Sequence, residues 1–162
     1  KGQYRIKDNF LAFWFRFVYP MRSFIESDHP EIAMTKLKTG FIPNHVGYVY
    51  EDICRQKMWE LNAQGKLPFL FDRVGRWWGG KDTEIDIVAI DTTDRSKIIF
   101  GECKFHQNVP MQLSELHQLK EKAAVVPWGN ANRDEYFALF CISGYSEDLQ
   151  QLAQEDSHLL LM

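Results

Sequence analysis

Glu84, Asp86, Glu102 and Lys104 stand in two otherwise largely apolar runs. The first is Glu84-Ile85-Asp86-Ile87-Val88-Ala89-Ile90-Asp91 and the second Ile98-Ile99-Phe100-Gly101-Glu102-Cys103-Lys104-Phe105. In an extended strand residues two apart share a face, so Glu84 lies with Asp86, and Glu102 with Lys104. Pairing the runs about a turn at 92–96 centred on Asp94 sets Asp86 opposite Glu102 and Glu84 opposite Lys104. Two carboxylates facing each other repel, and burying them uncompensated is costly. The spacing therefore calls for positive charge between them. Lys104 is one source. A divalent cation held by Asp86 and Glu102 is the other, and Mg2+ suits a site of one or two carboxylates completed by water and phosphate oxygens. The plain alternative is a ladder of cross-strand salt bridges on a solvated face. Ile85, Ile87, Ile98, Ile99, Phe100 and Phe105 around the charges argue instead for a central strand pair.

The elements that must position these residues are legible in outline. The first third reads as helical: Asp8 is a helix N-cap, Pro30 opens a second helix, and Gly40 is expected to stop it. Val46, Val49, Tyr50, Ile53 and Leu61 form one stripe of a third helix that Gly65 ends. From Pro68 the period shifts towards two, predicting strands at 69–78, 83–91 and 97–105, parted by turns at 79–82 and 92–96. A helix follows over 110–124 with Leu113, Leu116 and Ala123 inward, then an apolar strand at 135–143. Ser146 caps a short helix to Glu155, and 159–162 forms a last strand. This order predicts an α/β fold, a mixed sheet with helices on both faces, and a helical N-terminal extension.

Composition narrows the function classes. The 162 residues carry 19 basic and 22 acidic side chains, a net charge of −3 and a pI near 6.0, which excludes a basic nucleic-acid tail or polybasic membrane anchor. With 45% hydrophobic and 25% charged residues the chain has enough apolar mass for a core and is not disordered. The aromatic run from Phe10 to Tyr19 is interrupted by Arg16 and closed by Pro20, so it falls short of the roughly 20 apolar residues of a membrane span. Cys54, Cys103 and Cys141 lie far apart without a CxxC pair and read as reduced thiols of a cytoplasmic protein. No signal peptide is visible. A chain opening on Lys1 is expected to be part of something longer.

Asp86, followed sixteen positions on by Glu102-x-Lys104, resembles the PD-(D/E)XK phosphodiesterase superfamily. The resemblance implies a three-layer α/β/α restriction-endonuclease-like core over 44–143, with Asp86 and Glu102 binding the metal and Lys104 holding or activating the attacking water. It also implies a metal-site carboxylate on the preceding helix, Glu51 or alternatively Asp52. The proline that names the motif is replaced by Glu84-Ile85. Narrower motifs, Tyr4-x-Ile6-x-Asp8-Asn9-Phe10-Leu11-x-Phe13-Trp14-Phe15-Arg16-Phe17, Gly75-Arg76-Trp77-Trp78 and Gly101-Glu102-Cys103-Lys104-Phe105, resemble the domain of unknown function 234. That domain is the C-terminal part of archaeal and bacterial AAA-type ATPases, where a P-loop domain and a winged helix precede it. No P-loop occurs here, since Gly79-Gly80-Lys81-Asp82 lacks the first glycine and the Ser/Thr.

The resemblance thus implies a helical connector at 1–42 to an ATPase part outside this chain, and a nuclease-like domain at 43–162. It implies Mg2+ or Mn2+ as cofactor, nucleic acid, with DNA foremost, as substrate, no membrane partner, and metal-assisted phosphodiester hydrolysis as the reaction. The rival reading is an inactive nuclease-derived domain that binds DNA or protein and regulates the ATPase; the acidic pI favours it, since phosphate neutralisation usually drives DNA binding. The complete set of Glu51, Asp86, Glu102 and Lys104 favours catalysis. Among lesser candidates, His106, Arg73 and Arg76 could contact phosphate, Trp77 or Trp78 could stack on bases, and His117 and Gln118 could line a cleft. Cys103 reads as a packed thiol on the opposite sheet face.

Overall fold

A computed structural model describes residues 6–41, 45–80, 83–129 and 132–162. The chain divides into two compact units, residues 1–49 and 50–162. The turn at 79–82 lies partly outside the described residues.

In the first unit Asp8 caps α1 (Asn9–Phe13) as its sequence position implies, its carboxylate accepting from the Leu11 amide at 2.8 Å. The chain continues through a π-helical turn (Trp14–Val18) and a 3-10 turn (Tyr19–Met21) around Pro20, whose missing N–H breaks the regular ladder, into α2 (Arg22–Glu26). Helix α3 (Pro30–Phe41) begins on its proline but passes Gly40, which was expected to stop it. Phe13 and Phe17 meet Phe41 and His45 in an aromatic cluster with ring centroids 5.6–6.1 Å apart.

Helix α4 (Gly47–Ala63) crosses the boundary between the units, and from Tyr50 onwards it belongs to the larger one. Gly65, at φ +63°, ends it with the Lys66 amide donating back to the Leu61 carbonyl at 3.0 Å. The buried stripe is Cys54, Met58 and Asn62, four residues apart, whereas Ile53, expected on that stripe, is exposed. Asn62 imitates a backbone partner: its side chain donates to the Phe71 carbonyl at 2.9 Å and accepts from the Phe71 amide at 3.0 Å. This clamp occupies residues that periodicity had assigned to a strand, so β1 spans only Arg73–Trp78.

The sheet has five strands in the order β1-β2-β3-β4-β5, with β2 Glu84–Ile90, β3 Lys97–Lys104, β4 Asp134–Cys141 and β5 Leu159–Leu161. The first three are antiparallel, and β3, β4 and β5 run parallel. Helices α5 (Leu113–Ala123) and α6 (Glu147–Glu155) provide the crossovers between them. On one face Leu116, Leu119, Ala123 and Leu149 pack on Ile98, Phe100 and Leu139. On the other, Cys54 and Met58 of α4 pack on Ile87, Ala89, Ile99 and Phe140. The fold is therefore three-layered α/β/α, as the element order predicts, with a helical N-terminal segment. No helix among the described residues is long and apolar enough to cross a membrane.

Candidate functional site

The β2–β3 ladder pairs Ile90 with Ile98 and Ile87 with Gly101, the register obtained by centring the turn on Asp94. The regular ladder ends at Ile87–Gly101, one step short of Asp86 and Glu102. Gly101 is required at this point: a Cβ there would lie 2.9 Å from Cβ of Ile87 and 3.1 Å from the Ala138 carbonyl. Small size in the middle strand thus lets β2 and β4 close on β3 immediately before Glu102.

The simple alternation along β2 does not hold. Against β1, Gly75 pairs with Val88 but Trp77 pairs with Ile85, so Asp86 and Ile87 together oppose Arg76. This bulge reverses the facing of the strand, because Ile85 joins the core beneath α5 while Ile87 and Ala89 join the core beneath α4. Glu84 consequently meets Arg76 (3.0 Å) rather than Lys104, its expected cross-strand partner. The Asp86 carboxylate turns to the β3 backbone and accepts from the Cys103 amide at 2.9 Å.

Burial and the neighbouring charge of Glu102 push the Asp86 carboxyl up to about 6, against the Cys103 amide, Lys104 and Arg76, which favour its ionised form. Glu102 has only 7% of its side chain exposed and receives a lysine on each oxygen: Lys104 Nζ at 2.7 Å from Oε1 and Lys122 Nζ at 3.1 Å from Oε2. Burial works to lower the Lys104 pKa, yet the charge and hydrogen bond of Glu102 outweigh it and hold the ammonium above its usual range. Asp86, Glu102 and Lys104 are thus brought into one electrostatic group.

Glu51 joins it from α4 through arginines. Its carboxylate is bound by Arg76 and lies 3.8 Å from Arg55, while Asp52 is bound by Arg55. Arg55 also donates to the Asp86 carbonyl at 3.1 Å, tying α4 to the bulge. Among the described residues no three His, Cys, Asp or Glu side chains form a metal-ligating group. The donors best suited to a divalent ion are the two carboxylates Asp86 and Glu102. They supply the hard oxygen donors that Mg2+ or Mn2+ takes together with water, and each Glu102 oxygen is also held by a lysine.

Lys122 and Arg55 were not singled out from sequence. Arg55 was discoverable, standing four residues after Glu51 and three after Asp52 on one helix face. Lys122 carried no such signal, since only the β3–α5 crossover brings it to Glu102. The lesser candidates are distributed plainly. Arg73, His106, His117 and Gln118 are exposed, Trp77 packs on the core beneath α5, and Trp78 is exposed with the Arg76 guanidinium 5.8 Å from its ring centre. Cys103 packs with Cys54 beneath α4, on the sheet face opposite Glu102.

The family DUF234, described as archaeal and bacterial proteins of unknown function, matches residues 14–123. An uncharacterized protein of Methanocaldococcus jannaschii is 34% identical over 140 residues, which cover 86% of this chain and 30% of that protein. The chain therefore spans about a third of the length of the curated relative it matches. No solved structure matches it.

Proposed function

The chain belongs to this DUF234 family, and we propose that its larger unit is a metal-dependent phosphodiester hydrolase of the PD-(D/E)XK kind, acting on nucleic acid, with DNA the foremost substrate, as the C-terminal module of a longer ATPase. The observation that supports this most is the Lys104–Glu102 ion pair flanking the Cys103 amide that binds the Asp86 carboxylate, where β2 bulges away from regular pairing with β1. The proportion of the relative's length that this chain spans leaves room for an ATPase part.

Asp86 and Glu102 would hold the Mg2+ or Mn2+ ion, which when bound acidifies water and offsets charge on a phosphate. Lys104, charged and 30% exposed, is placed to hold the attacking water or to stabilise oxygens of the phosphate as negative charge builds. The Cys103 amide orients the Asp86 carboxylate, and the salt-bridged Arg55 and Arg76 fix α4 and β1 around it. Glu51 is engaged by Arg76, so its part is to hold that arginine beside Asp86 unless cation binding draws it inward.

A second reading is favoured by that same engagement. Glu51 and Glu102 each already face two cationic side chains, the internally balanced set expected of a nuclease-derived binding module that regulates an ATPase. Incubating supercoiled plasmid with the chain in Mg2+ or Mn2+ decides between them. The hydrolase reading expects nicking that is lost in Asp86→Asn and Lys104→Ala. Absence of nicking in the unaltered chain together with Mg2+-independent DNA retention favours the binding module.

A further inference from the structure

Lys122 lies in the last turn of α5, where a lysine is ordinarily free to extend into solvent and serve the helix dipole. Here its backbone is fixed on both sides. Leu119 and Ala123 are fully buried, and Arg133 donates to the Ala123 carbonyl at 2.9 Å, closing the helix end. Its ammonium donates to Glu102 Oε2 at 3.1 Å, and the side chain is 31% exposed. Holding a lysine in one rotamer costs side-chain entropy, which the contact with Glu102 offsets. Lys104 already supplies Glu102 with a counter-charge on its other oxygen.

We propose that Lys122 is a positioning residue of the candidate site: gripping Oε2, it sets the plane of the Glu102 carboxylate and directs Oε1 towards Lys104. This rests on the metal-dependent reading above. The geometry supports a division of the two lysines. Lys104 approaches Oε1 at 2.7 Å from β3 itself, whereas Lys122 approaches Oε2 at 3.1 Å from α5, so each oxygen of Glu102 is held by a lysine from a different element. Lys122 thereby orients Glu102 through the oxygen that Lys104 does not touch.

The two roles open to Lys122 predict opposite signs. A lysine that merely neutralises Glu102 competes with a divalent cation, and removing it tightens cation binding. A lysine that positions Glu102 helps binding, and its removal loosens it. Mn2+ affinity of the 162-residue chain, measured by calorimetry beside thermal melting in EDTA, distinguishes them. Lys122→Met is expected to weaken Mn2+ binding by about tenfold, and Lys122→Arg to restore it to within about threefold of the unaltered chain. Mn2+ binding by Lys122→Met as tight as, or tighter than, that of the unaltered chain overturns the inference even if the melting temperature falls. Should Lys122→Met fail to fold, Lys122→Gln, which keeps one donor and no charge, carries the same comparison. If the unaltered chain itself binds no Mn2+, the hydrolase reading fails and this inference with it. Loss confined to the variant leaves that reading intact.

Discussion

At Asp86 burial and the charge of Glu102 act in one direction, the Cys103 amide, Lys104 and Arg76 act in the other, and the first pair prevails. A carboxyl whose pKa stands above its unfolded value contributes stability that is present below about pH 4 and is lost as the pH rises through about 6. Asp86→Asn keeps an acceptor for the Cys103 amide and removes this liability. It should therefore stabilise the fold at pH 7–8 by about 1–3 kcal/mol, with the difference from the unaltered chain shrinking towards pH 4. Paired denaturation curves across pH 4–8 check this; a variant less stable at pH 8 would show that Asp86 is held favourably ionised. Lys104→Ala has the opposite consequence. It leaves Glu102 with one counter-charge and should lower stability by about 1–3 kcal/mol, while abolishing any nicking and retaining much of the Mn2+ affinity, because both carboxylates remain. Stability loss that Mn2+ fails to offset, without measurable binding, would mark the group as a structural ladder.

Two elements show what was legible in the sequence and what was not. The β2–β3 hairpin was, because a short turn between two apolar runs leaves little freedom of register and a one-residue slip would turn Ile87 and Ile99 out of the core. The register that leads up to Asp86 and Glu102 could therefore be set in advance. The bulge at Asp86-Ile87 could not, since it arises from the pairing of β2 with β1, and no residue type on β2 announces it. That is why the predicted meeting of Glu84 with Lys104 gave way to Glu84 with Arg76. The Asn62 clamp was equally hidden, because an asparagine inside a helix gives no hint that it will pair with backbone nine residues on. Asn62→Ala should cost about 2–4 kcal/mol by leaving the Phe71 amide and carbonyl unpaired in the interior. Gly101→Ala should cost about 1–3 kcal/mol, since the added Cβ meets Ile87 and a backbone carbonyl of β4 that cannot rotate away. Thermal melting of the two variants checks both, and an unaffected Gly101→Ala would mean that the three central strands are not closely apposed beside Glu102.

At the scale of the molecule, the net charge of −3 sets the terms on which nucleic acid could bind. The cations at the site are partnered with carboxylates, so phosphate contact by side chains alone is weak, and association should depend on a divalent ion and fall steeply with salt. Retention of duplex DNA should accordingly rise when EDTA is replaced by Mn2+, and the gain should vanish in Asp86→Asn. The first unit makes its own test available, because Phe13 and Phe17 supply half of its aromatic cluster with Phe41 and His45. Removing residues 1–20 should lower solubility or melting temperature, and unchanged melting would deny that cluster a structural role. The central claim remains that Asp86 and Glu102 are ligands, and Mn2+ titration of the unaltered chain beside Asp86→Asn at pH 7.5 addresses it most directly. The account predicts saturable binding by the unaltered chain and none by Asp86→Asn at the same concentrations. Equal binding by both, or binding by neither, would contradict it.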